Sequence, residues 1–168
     1  VSVGWKSMMY LEGSLRNDWS STLPDGNNSY IYPSVTGSFI FSELLKEDFE
    51  WLSFGKIRLG YAEVGNDTDP YRIIDTYTQY TNVDSSTPGY IMSTELKNTG
   101  LKPERTYSYE AGLEMNFLNN RLGFEATYYY AKTKNQIIPL SVSGSTGYLT
   151  RIINAGLIEN KGIELAFH

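Results

Sequence analysis

Residues Tyr107 to Thr133 read YSYEAGLEMNFLNNRLGFEATYYYAKT, an almost unbroken alternation of apolar and polar side chains. Tyr107, Tyr109, Ala111, Leu113, Met115 and Phe117 fall on one face by period two, and Ser108, Glu110, Gly112, Glu114 and Asn116 fall on the other. After LNNR the pattern resumes, with Leu122, Phe124, Ala126, Tyr128 and Tyr130 apolar and Gly123, Glu125, Thr127 and Tyr129 opposite. Asn tolerates positive φ, so Asn119 and Asn120 are expected at the centre of a tight hairpin turn with Leu118 facing Arg121. That register sets Phe117 beside Leu122, Met115 beside Phe124, Leu113 beside Ala126 and Tyr109 beside Tyr130, apolar against apolar throughout. It also sets Glu114 directly opposite Glu125.

Similar alternation marks strands around Met9 to Arg16, Ser34 to Phe41, Lys56 to Ala62 and Gly162 to Phe167, which with the hairpin makes about six antiparallel strands. Fourteen tyrosines and fifteen glycines in 168 residues favour strands and turns over long helices, so the chain reads as all-β. The connections Asp18 to Tyr30, Gly65 to Glu104 and Asn135 to Gly156 are long and rich in Gly, Pro, Ser, Thr and Asn, whereas LNNR is minimal. Ser42 to Phe54 has room for one short helical turn. If the strands run up and down, the three long loops gather at one end and the LNNR turn and the Ser42 to Phe54 connection at the other.

The composition narrows the function. Fourteen basic against nineteen acidic residues give no electrostatic reason for a nucleic-acid partner. With no cysteine there is neither a disulfide framework nor a thiolate metal site. The lone His168 activates no nucleophile and completes no zinc site, and neither PDGNN nor GNDTDP has EF-hand spacing. No metal, cofactor or enzymatic activity is expected. Glu114 and Glu125 raise acid-base glycosidase chemistry, but they lie near a tight turn, away from any loop-built cleft.

The apolar set Tyr, Ala, Leu, Met, Phe and Gly differs from the Val, Ile and Leu of a sandwich core. An outer-membrane barrel accounts for it, because such strands turn an apolar band with aromatic girdles toward lipid and enclose a polar, wet interior. On this pattern alone, a soluble all-β ligand-binding module, for instance for carbohydrate, stays open. Detergent dependence separates the two.

LKPERTYSYEAGLEMNFLNNRLGFEATYYYAKTKNQI (Leu101 to Ile137) and INAGLIENKGIEL (Ile153 to Leu165) resemble the SusC/RagA family of TonB-linked outer-membrane transporters, as do Arg16 to Glu43 and Lys56 to Asp67. The resemblance covers most of the chain in the expected order and leaves the loop from about Thr68 to Leu96 without a motif. It implies a barrel of roughly 22 strands around a plug, in the outer membrane of a Gram-negative bacterium, importing oligosaccharide or peptide. A SusD-like lipoprotein would lid the extracellular mouth and TonB would supply the energy. Residues 1–168 are then expected to be part of the C-terminal half of the barrel wall, without the plug or the TonB box, and unable to close a barrel alone.

Three groups of residues follow. Leu113, Met115, Phe117, Leu122 and Phe124 are expected to face lipid. Lys56, Arg58, Glu114 and Glu125 are candidates for a lumenal charge network that relieves the opposed glutamates and holds the wall or touches the plug. Trp19, Tyr30, Tyr77, Tyr80, Tyr90 and Tyr148 fall in the long-loop end, where an aromatic ring can stack on substrate or meet the lid.

Overall fold

The computed structural model describes residues 1–45, 49, 51–81 and 88–168; parts of the Ser42 to Phe54 connection and of the loop before Leu96 lie outside the described residues. Seven strands form one antiparallel sheet: β1 (Ser2–Trp5), β2 (Met9–Trp19), β3 (Ser29–Ile40), β4 (Leu52–Asn66), β8 (Glu104–Phe117), β9 (Leu122–Lys134) and β12 (Leu157–Phe167). Their spatial order, β1-β2-β3-β4-β8-β9-β12, follows the chain. The sheet is an open segment of a barrel wall. α1 (Ser42–Leu45) supplies the short helical turn expected between β3 and β4.

The hairpin register is the one the alternation dictates: Phe117 pairs with Leu122, Glu114 with Glu125 and Tyr109 with Tyr130. The turn is different. Leu118, Asn119 and Asn120 all have positive φ, at 52°, 56° and 62°, and Leu118 does not pair with Arg121. The loop therefore has four residues, closed by Arg121 N–H donating to Phe117 O at 3.1 Å. Leu118 is held in its unfavourable conformation because its N–H donates to Trp51 O at 3.0 Å, a partner from another connection that local turn chemistry does not reveal.

The sheet has seven strands where the alternation marks six, because β1 is only four residues long and offers too short a pattern. The long connections also hold strands. Tyr77–Thr81 (β5) and Pro88–Met92 (β6) form a hairpin, and Glu95–Leu96 (β7), Ile137–Ser141 (β10) and Thr150–Asn154 (β11) form a small sheet in the order β10-β11-β7. As the parity of the strands requires, these long connections all lie at one end, opposite the 118–121 loop.

Burial is concentrated at that end. Leu101 and Ile152 are essentially sealed, and with Leu23 and Tyr30 they form the core cluster, against which Tyr32, Ile73 and Ile137 pack. The body of the sheet has no such core: Leu11, Leu59 and Leu165 on its apolar face are each about 60% exposed. In water that exposure would cost roughly 25 cal/mol per Å² of apolar surface left uncovered, so the face is built for an apolar surrounding.

Candidate functional site

On the polar face, Lys56 pairs across β4 and β8 with Glu114, and Arg58 with Gly112. Gly112 has no side chain, and Arg58 lies across it: a Cβ there would overlap the arginine Nε, Cγ and Cδ. The guanidinium thereby reaches the next strand, where Nη2 donates to Glu125 Oε1 at 2.7 Å and to Thr127 Oγ1 at 2.7 Å. Its Nε lies 3.6 Å from Glu110 Oε1, close enough for attraction but without a hydrogen bond, and is buried. Lys56 Nζ is 3.9 Å from Glu114 Oε2. Each member of the opposed glutamate pair thus has its own cation, which offsets the repulsion of like charges held face to face.

The four ionisable residues named from the sequence come together in this one cluster, and it has more members. Glu110, Thr127 and Gly112 complete it, and a cavity of about 560 Å³ beside Arg58 is lined by Glu110, Glu125, Thr127, Tyr129 and Glu164. Thr127 is the β9 partner of Gly112 and Glu110 is the next residue on the same face of β8, so the strand pairing points to them once Arg58 is known to cross the glycine. Three carboxylates and one guanidinium leave the cavity acidic. Among the described residues no group of His, Cys, Asp and Glu is arranged to hold a metal ion.

The other face is banded. Leu113, Met115, Phe117, Leu122 and Phe124 share it; Phe117 stacks on Trp51 with ring centroids 5.6 Å apart, and Phe124 meets Phe167 at 5.2 Å. Further along, Tyr61, Tyr109 and Tyr130 pair across three strands with centroids 5.0 and 6.2 Å apart. Glu63, Tyr107, Lys132 and Glu159 occupy the next row on the same face. Tyr109 and Phe117 are eight positions apart on β8, about 27 Å along a strand and roughly 20 Å in height at a tilt near 40°.

At the loop end, hydrogen bonds tie the connections together. Asp67 accepts from the hydroxyls of Ser20 and Thr22. Glu104 accepts from Ile137 N–H at 2.7 Å, and Asn154 Nδ2 donates to Lys102 O and Asn135 O at 2.8 and 2.9 Å. Glu95 sits between Arg72 and Lys97, each 2.5 Å away. Partial burial pushes the Glu95 carboxyl up, but the Lys97 hydrogen bond and the charges of Arg72 and Lys97 outweigh it and hold the group below its ordinary value.

The loop aromatics separate into kinds. Trp19, Tyr77 and Tyr90 are strongly exposed, Tyr80 is turned over Gly89, and Tyr148 is half-buried. Tyr30 does not belong with them. It is buried in the loop core with its ring filling the space over Gly65, so it is chiefly a packing residue, with only an edge left on a small cavity beside Arg105 and no open ring face for stacking on substrate or lid.

A family model described as TonB dependent receptor-like, beta-barrel matches residues 5–168. The chain is 30% identical to TonB-dependent receptor P26 of Formosa agariphila over 159 residues, covering 91% of this chain and 16% of that protein. It is 29% identical to TonB-dependent receptor SusC of Bacteroides thetaiotaomicron over 167 residues, covering 92% of this chain and 16% of that protein. Among solved structures it superposes on the RagAB peptide importer in its closed-closed state with a TM-score of 0.85 at 28% identity, covering 99% of this chain and 18% of that one. The chain therefore spans about a sixth of the length of the relatives it matches.

Proposed function

The chain belongs to the TonB-dependent receptor-like β-barrel family, and on that premise we propose that it is a wall segment of an outer-membrane importer of oligosaccharide or peptide, coupled to TonB and covered by a SusD-like lipoprotein. The observation that carries the reading is the exchange of inside and outside. Between two aromatic rows Leu11, Leu59, Leu165 and Phe167 stand exposed and Leu113, Met115 and Phe124 are half-buried among them, while the charges at this height are gathered on the opposite face around Arg58. In this reading Leu113, Met115, Phe117, Leu122 and Phe124 face lipid, and Lys56, Arg58, Glu114 and Glu125, with Glu110 and Thr127, line the wet lumen where a plug would sit.

Peptide cargo is supported by the likeness to RagAB, whose structure is that of a peptide importer. Trp19, Tyr77, Tyr80, Tyr90 and Tyr148 are the candidates for contact with cargo or lid, and TonB is assigned to a part of the receptor other than this wall. A soluble carbohydrate-binding module would need a second layer over the apolar face, and among the described residues nothing packs there.

The test uses the complete receptor in a Gram-negative host. It should fractionate with the outer membrane, require detergent for extraction and run faster on gels before boiling than after, and cargo uptake should stop when TonB is deleted. A receptor that is monomeric and cooperatively folded in plain buffer would end this reading.

A further inference from the structure

Just beyond the tyrosine row, the apolar face turns basic. Tyr107 pairs with Lys132 and Arg105 with Lys134, and by alternation all four continue the face of Tyr109 and Tyr130. Lys132 is matched by Glu159 at 2.7 Å. Arg105 has only a long pairing with Glu63, at 3.5 Å. The Lys134 ammonium stands over the Tyr107 ring, 5.2 Å from its centroid. Among the described residues neither Lys134 nor Lys102 has a carboxylate within 4 Å. A cavity of about 280 Å³ opens beside Arg105, lined also by Lys102, Pro103, Asn27, Ser29, Asn135 and the edge of Tyr30. Its lining includes cations, amides and the hydroxyl residues Ser29 and Tyr30, and no carboxylate.

We propose that this rim cavity, together with Lys134, the register partner of its Arg105, binds a phosphate of an outer-leaflet lipid headgroup. The proposal rests on the membrane-wall reading given above, which puts the long-connection end at the cell surface. Three observations select a lipid over cargo. Arg105 and Lys134 share the face of the aromatic row, whereas cargo passing through the lumen meets the other face. The lumenal cavity around Arg58 is acidic, so the two surfaces are opposite in charge. Arg105 and Lys134 also share one row, two same-face steps outside Tyr109 and Tyr130, the depth of headgroups above an interfacial aromatic belt. Arg105 supplies a planar donor fork suited to phosphate oxygens, and Lys102 and Lys134 supply point charges.

The test uses the complete receptor, purified in neutral detergent and offered mixed micelles carrying diphosphoryl lipid A, the same lipid A without its phosphates, or phosphatidylcholine. Lipid retained per barrel after washing and the thermal midpoint are the readouts. Diphosphoryl lipid A should be retained and raise the midpoint, and the other two should not. Lys102→Gln with Lys134→Gln should weaken retention about thirtyfold, taking each surface cation at about fivefold, while Lys102→Arg with Lys134→Arg keeps it. Added salt should weaken it as well. Equal retention by the glutamine pair, or equal protection by inorganic pyrophosphate, would overturn the proposal. A receptor that fails to enter membranes at all indicts the wall reading; one that enters them and holds lipid A regardless of Lys102 and Lys134 indicts only this site.

Discussion

Arg58 and Gly112 face each other across β4 and β8, and the arginine side chain occupies the volume that any side chain at position 112 would need. The glycine is there for the room it leaves. Without it, Arg58 could not lie flat on the wall and reach Glu125 one strand further on.

Gly112→Val is therefore expected to destabilise the folded barrel by about 1 to 3 kcal/mol, the usual cost of forcing volume into an occupied site. The fraction of complete receptor that keeps its fast, unboiled gel mobility along a urea series measures this. Stability equal to the parent would mean that Arg58 has a second comfortable position.

Removing the cation should be partly reversible by removing its partner. Arg58→Met leaves Glu125 facing Glu114 with only Lys56 nearby, and adding Glu125→Gln relieves the opposition. Both partners are more than a third exposed, so the coupling in a double-mutant cycle is expected near 1 kcal/mol, as for solvent-screened pairs. Additive costs would show that the two charges are separately solvated.

The strand register was legible because period-two alternation is a local property, and a one-residue slip would have put Glu114 and Glu125 among the leucines. What escaped depended on partners distant in sequence. Leu118 adopts positive φ because Trp51 accepts its N–H, and Tyr30 is buried because Leu23, Leu101 and Ile152 converge on it. The short strands of the loops are too brief to show a period. Likewise alternation puts Lys56, Arg58, Glu114 and Glu125 on one face, but the reach of Arg58 over Gly112 to Thr127 depends on a side-chain path across two strands that no local pattern encodes.

The loop core makes a separate prediction. Leu101 and Ile152 are fully covered and knit three connections, while the sheet below is held by its own strand pairing. Leu101→Ala should cost the loop cluster about 2 to 5 kcal/mol and open the 135–156 connection to limited proteolysis. The unboiled gel mobility of the barrel should be unchanged. A variant whose barrel also collapses would show that the loops and the wall fold as one unit.

Acid should loosen the same region through Glu95. Its carboxyl is held below its ordinary value because Lys97 and Arg72 outweigh the cost of partial burial. A depressed folded value means that the released, more proton-avid form gains as protons are added. The stabilisation is thus complete above the ordinary value of 4.5 and is lost as pH falls through the depressed one. Hydrogen exchange across residues 93–98, corrected for intrinsic rates, should lose protection between about pH 5 and pH 3. Glu95→Gln, which cannot ionise, should have low protection at both ends and a flat profile. If the parent is equally flat, the Arg72, Glu95 and Lys97 cluster is not what holds β7 against β11.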